Sequence, residues 1–139
     1  MKKPIIKLSI LAMLAIFNSC SNDDKDTEKP TIQIISPIDE SAYEIGGNIN
    51  ITFTLTDNEA LKSYKIDIHE NDGHNHGPRA ESETPLSYQL VENISGKTFT
   101  KTVVVTIPAD SELTEYHLGI FAIDASGNEN ESYIGFHIE

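Results

Sequence analysis

Glu115-Tyr116-His117-Leu118-Gly119-Ile120-Phe121-Ala122-Ile123-Asp124, followed by Ala125-Ser126-Gly127-Asn128, decides the fold class. Tyr116, Leu118, Ile120 and Ala122 recur at every second position, the period of a strand with one buried face. The run then stops at small polar residues. Gly127 among them suits a turn that needs positive φ.

Six other segments share this texture. Thr31–Ile35 is the first in the chain. In Asn48–Thr56, Ile49, Ile51, Phe53 and Leu55 share a face. In Leu61–Glu70, Tyr64, Ile66 and Ile68 alternate against Lys65, Asp67 and His69. Leu86–Val91 carries a weaker pattern. Thr98–Ile107 turns Phe99, Val103, Val105 and Ile107 inward, and Glu131–Ile138 does the same with Ile134, Phe136 and Ile138. No segment has a helical period, so the crossovers of a parallel sheet are missing. The expectation is an all-β domain over residues 30–139, a single seven-stranded immunoglobulin/fibronectin-like sandwich.

The quoted stretch resembles the penultimate strand and turn of bacterial Ig-like and fibronectin-type modules: a Tyr, alternating apolars, then Ala-x-Asp-x-x-Gly-Asn. Pro30 to Leu61 resembles the opening of such modules, with Ile-Ser-Pro, a Gly before the second strand and an Asp-rich turn. The layout, with a His-bearing segment after the third strand, is similar to a family of Bacteroidetes Ig-like lipoproteins of unknown function. That resemblance implies a fold and says little about activity.

The N-terminus reads as an address. Lys2, Lys3 and Lys7 precede the apolar run Leu8–Phe17, and the small residue Ser19 precedes Cys20. This is the order of a cleaved export signal, and the run is too short for a membrane span of roughly 20 residues. Phe17-Asn18-Ser19-Cys20 resembles the lipobox of bacterial lipoproteins, with Phe17 where Leu is usual. The resemblance implies removal of residues 1–19 and lipidation of Cys20. Cys20-Ser21-Asn22-Asp23-Asp24-Lys25-Asp26 resembles the start of many Bacteroidetes lipoproteins. There, such an acidic stretch accompanies export to the outer face of the outer membrane. Residues 20–29 are expected to form a flexible tether between lipid and domain.

Without residues 1–19 the chain keeps seven Lys and Arg against 22 Asp and Glu, a net charge near −15. Such a surface repels nucleic acid and anionic lipid and favours cations. Cys20 is the sole cysteine, so no internal disulfide forms.

The five histidines are His69, His74, His76, His117 and His137. Neutral imidazole ligates Zn, Cu or Ni, and His74-Asn-His76 flanked by Gly73 and Gly77 can present two rings on a turn. In an Ig-like sheet the third, sixth and seventh predicted strands are neighbours. His69 then ends one, His117 begins the next, and His137 ends the last, all at one pole. Each stands opposite the apolar set of its own strand and so faces outward. A hairpin centred near Gly127 sets residues 117 and 137 directly across from each other. All five are therefore expected to converge on one ion, Zn first and then Cu. Glu70, Asp72 and Glu139 are near enough to add oxygen ligands. A bulge in the third strand would turn His69 inward.

At the opposite pole Asp57, Glu59, Asp124 and Asn128 form a weaker candidate for Ca²⁺, their ordinary role being turn hydrogen bonds. Phe121, Ile123 and Tyr133 form a candidate apolar patch for a protein or glycan partner. Catalysis has little support: no Gly-x-Ser-x-Gly or paired-carboxylate frame stands out, and although a metal site with an open position could in principle hydrolyse something, no substrate cleft is legible. The expected function is non-enzymatic metal binding at the cell envelope. The rival is an adhesion or glycan- or protein-binding module of a nutrient-uptake system.

Overall fold

The computed structural model describes residues 25–71 and 84–139, which hold eight strands. They are β1 (Thr31–Ser36), β2 (Ser41–Tyr43), β3 (Asn48–Thr56), β4 (Leu61–Glu70), β5 (Tyr88–Asn93), β6 (Thr98–Thr106), β7 (Glu115–Asp124) and β8 (Glu129–Ile138). One sheet has the order β1-β3-β6 and the other β2-β8-β7-β4-β5. The chain is thus the expected all-β sandwich, with β4, β7 and β8 adjacent as anticipated. Two details differ. The weak fourth strand begins at Tyr88 rather than Leu86. A short extra strand, β2, runs parallel to β8, with Ser41 beside Phe136 and Tyr43 beside Ile138. Three residues with no alternation give no periodic signal. Hydrogen bonds to the β8 edge hold the segment instead: Glu40 N–H to the Gly135 carbonyl at 2.8 Å, and Gly135 N–H to Asp39 Oδ1 at 2.7 Å.

Alternation puts the core where period two requires it. Ile49, Ile51, Phe53 and Leu55 of β3 are fully buried against Tyr64, Ile66 and Ile68 of β4 and Tyr116, Leu118, Ile120 and Ala122 of β7. Phe53 meets the Tyr64 ring at 5.2 Å between centroids, and Tyr64 meets Phe99 of β6 at 5.5 Å. A β4 bulge does exist, but it lies at Lys62, between the pairs Leu61–Asp124 and Ser63–Ile123. Beyond it the register runs unbroken to Glu70, so His69 stays on the outer face.

Two polar contacts tie the layers together. The Tyr116 hydroxyl donates to the Glu112 carbonyl at 2.9 Å and accepts from the Leu86 N–H at 3.3 Å. This is a tyrosine corner, pinning the incoming loop to the start of β7. At the open edge of the sandwich, Glu92 of β5 accepts hydrogen bonds from Tyr64 and from the Lys101 ammonium of β6. Lys101 interrupts the inward apolar face of β6, and its charge joins the two sheets there. Burial, and then the Glu92 carboxylate, push the Tyr64 phenol up to about 12. Hydrogen bonds from Lys101 and Tyr64 hold the Glu92 carboxyl below its usual range.

The β7–β8 hairpin corrects one expectation. Ile123 pairs with Glu129, so the hairpin is centred on Ser126 rather than Gly127. Gly127, at φ 90°, is the last residue of a three-residue loop, where a left-handed position is wanted. His117 therefore faces Gly135, and His137 faces Glu115. The offset of two keeps every side chain on its expected face.

Tyr116→Phe leaves a buried N–H and a buried carbonyl without their partner, and is expected to cost about 1–3 kcal/mol. Urea unfolding with an unchanged m-value measures this. The Tyr64 hydroxyl is held protonated in the fold, so its contribution is full below pH ~10 and fades as pH rises towards 12. The stability advantage of the natural chain over Tyr64→Phe should therefore narrow between pH 9 and pH 12 (values about these pKa limits) in paired denaturation curves.

Candidate functional site

The outer face of the five-stranded sheet is a grid set by strand register. Across β4, β7 and β8, one row reads His69, His117, Gly135 and the next reads Asp67, Gly119, Tyr133. A third reads Lys65, Phe121, Glu131. Beyond the first row, nearer the pole, Glu115 pairs with His137.

In the first row the imidazoles of His69 and His117 meet edge to face, 5.9 Å between centroids and 90° between planes. His69 is exposed and His117 half-buried. Gly135 carries no side chain, so the place beside His117 is open. It forms part of a hollow of about 50 Å³ lined by Glu40, Asn71, Glu115, His117 and His137. His137 sits one row on and is held by carboxylates. Its Nε2 lies 3.1 Å from Glu40 Oε2, and its Nδ1 lies 3.8 Å from Glu115 Oε1. Asn71 closes the corner, donating its N–H to the Glu115 carbonyl at 2.9 Å and its Nδ2 to Glu115 Oε2 at 3.3 Å. His74, His76 and Asp72 lie outside the described residues, as does Cys20. Among the described residues, His69, His117 and His137 do not bring three ligand atoms together around one point. The structure thus pairs His69 with His117 and sets His137 diagonally, among acids.

Glu40 and Glu115 were not singled out from the sequence. Glu115 was legible once the hairpin register was known. Glu40 follows from its positive φ of 64° in the turn before β2, which no local pattern announces.

The remainder of the grid is a groove. Lys65 stands 4.4 Å from the centre of the Phe121 ring, and Phe121 meets Tyr133 edge to face at 5.5 Å. Gly119 makes this possible: a Cβ there would come within 2.7 Å of the Tyr133 ring and 3.0 Å of Phe121. A groove of about 590 Å³ runs beside Phe121 and Ile123, lined also by Lys29, Lys65, Glu129 and Glu131. Burial raises the Asp67 carboxyl, but hydrogen bonds from Lys65 and Gln89 outweigh it and leave the group below its usual range.

At the other pole, Asp57 and Asp124 approach each other as expected, but Glu59 is not the third acid. Its N–H is bonded by Asp57 Oδ1 at 3.0 Å, and the third carboxylate is Asp26, from the segment before β1. The Asp26 side chain accepts from Asn58 Nδ2 at 3.0 Å, and its carbonyl accepts from Asn128 Nδ2 at 3.1 Å. A polar segment ahead of Pro30 gave no sequence signal that it docks here.

Among solved structures, the fold is similar to a DUF4466 family protein from Parabacteroides merdae. The TM-score is 0.58 at 10% identity, over 80% of this chain and 45% of that one. The chain thus spans less than half of that relative. It is also similar to the fibronectin(III)-like modules of Clostridium thermocellum CbhA, with a TM-score of 0.47 at 19% identity, over 78% of this chain and 94% of that one. A catalytically inactive OgpA from Akkermansia muciniphila, solved with an O-glycopeptide substrate, gives 0.48 at 13% identity, over 81% and 30%. The first of these likenesses speaks to the fold alone. Comparison with curated proteins finds no match. Residues 18–139, almost the whole chain, match the family described as "Domain of unknown function (DUF4625)", and the chain belongs to that family.

Proposed function

We propose that this chain is a non-enzymatic lipoprotein of the cell envelope, anchored through Cys20, whose Ig-like domain takes a transition metal, Zn or Cu. The observation that carries the reading is the pair His69–His117, facing each other across β4 and β7 on an outward sheet face. Zn–N bonds of about 2.0–2.1 Å at a tetrahedral metal put two ring centroids roughly 5 Å apart. The observed 5.9 Å is near that separation, and both rings would have to turn from their edge-to-face contact to aim a nitrogen each at one ion. His74 and His76, a few residues beyond His69 in sequence, are proposed to complete the shell. His137 is proposed as an alternative ligand, drawn from its carboxylate partners. Glu115 and Glu40 beside it supply negative charge favourable to a cation. The acidic composition points the same way.

A second reading rests on the Phe121 groove. Its volume and its mixed lining suit recognition of a protein or glycan partner in a nutrient-uptake system. Val91, 66% exposed, extends the apolar surface on the neighbouring strand. A partner captured equally well with and without chelator would favour this reading over the first.

Isothermal titration with Zn²⁺ and Cu²⁺ tests the metal reading. Binding tighter than about 100 μM, corresponding to roughly −5.5 kcal/mol, is expected. The double variant His69→Ala, His117→Ala should weaken it about 100-fold or more. His74→Ala with His76→Ala should weaken it by a comparable factor. No binding in that range, or affinity indifferent to His69 and His117, overturns the reading. Because only neutral imidazole ligates, affinity should also fall at least about tenfold between pH 7.5 and 5.5, the range in which histidine ordinarily charges. Titrations at the two pH values check this.

A further inference from the structure

The pole at which the chain enters β1 gathers three carboxylates from three separate places. Asp26 precedes β1, Asp57 follows β3 and Asp124 ends β7. Each offers an oxygen, and the three oxygens lie within 4.8 Å of one another. Asp124 is 0% exposed. Asn128 holds the group together, its Nδ2 donating to Asp124 Oδ2 at 2.6 Å and to the Asp26 carbonyl at 3.1 Å.

A second observation points to what is held there. Asp26 Oδ2 and Asp57 Oδ2 are each buried, with less than 1 Å² accessible, and neither accepts a hydrogen bond. Their sister oxygens are fully used. Asp26 Oδ1 accepts from the Glu28 N–H at 3.0 Å and from Asn58 Nδ2 at 3.0 Å. Asp57 Oδ1 accepts from the N–H groups of Glu59 at 3.0 Å and Ala60 at 2.7 Å. These bonds account for one oxygen each of Asp26 and Asp57 and leave the other bare, whereas both oxygens of Asp124 accept from Asn128, Oδ1 from its N–H at 2.7 Å. A buried anionic oxygen without a donor is strongly unfavourable, and neighbouring like charges add to the penalty. Among the described residues no Lys or Arg pairs with any of the three. Lys97 donates to the Asn58 carbonyl at 2.7 Å.

We propose that this pole binds a calcium ion, with Asp26, Asp57 and Asp124 as protein ligands and water completing the shell. The donors are all hard oxygens. Ca–O distances of about 2.3–2.6 Å set opposite ligands up to about 5 Å apart, so one ion fits among these oxygens. The ion would clip the segment before β1 to two loops of the sandwich, because Asp26 is the ligand that the tether contributes. The site shares no residue with the histidine face, so either proposal can fail alone.

The test is thermal unfolding of the purified chain in detergent, stripped with EDTA and then given Ca²⁺ or Mg²⁺ at about 10 mM. For an affinity of about 0.1–1 mM, typical of extracellular modules, Ca²⁺ should raise Tm by about 5–10 °C. Mg²⁺ should give less than half of that. Asp57→Asn keeps the turn-forming Oδ1 and removes one charge. It should melt no lower than the natural chain in EDTA and lose the calcium response. Asp26→Asn should lose most of the response, whereas His69→Ala should keep all of it. No shift with Ca²⁺, an equal shift with Mg²⁺, or full responses in Asp26→Asn and Asp57→Asn would each overturn the proposal.

Discussion

The antiparallel pairing of β4 with β7 is the constraint on which the remaining structure depends. From Ser63 opposite Ile123 to Glu70 opposite Tyr116 it runs without a slip. A slip of one residue would send Tyr64, Ile66 and Ile68 to solvent and bury Lys65, Asp67 and His69. Burying three such side chains is worth several kcal/mol in total, at about 1.5–3 kcal/mol each. The core therefore fixes the register. The meeting of His69 with His117 follows from it.

Most of this framework could be read from the sequence, because it rests on alternation. Asn48–Thr56, Leu61–Glu70 and Glu115–Asp124 were each delimited correctly: in the first two one face is almost wholly apolar and the other polar, and in the third the inward face is apolar while Glu115, His117 and Gly119 interrupt the outer one. What escaped the reading depends on contacts between distant segments. β2 is too short for a period and is held by the β8 edge. Hairpin symmetry was misplaced by one residue because Gly127 closes its loop instead of centring it. That was enough to replace His137 with Gly135 opposite His117. Asp26 sits in a stretch whose composition matches a solvated linker. Only the hydrogen bonds that Asn58 and Asn128 each donate to Asp26 show that it is held.

The two poles differ in donor chemistry. One presents carboxylate oxygens from loops, the other imidazoles on strands. Along β4 they are separated by the eight steps from Leu61 to His69, about 26 Å at roughly 3.3 Å per residue. Under the two proposals, hard and borderline cations would be sorted by end. Between the poles lie the Gly119 gap and the Tyr133–Phe121 contact.

The short parallel strand β2 has a further consequence. Without it, β8 would present a ten-residue edge of unpaired backbone groups to any neighbouring chain. Ser41–Tyr43, together with the bonds from Asp39 and Glu40 at Gly135, covers the end of that edge. The opposite edge, β5, is six residues long and carries Glu92. Short or charged margins of this kind disfavour the edge-to-edge zipping that leads to fibres.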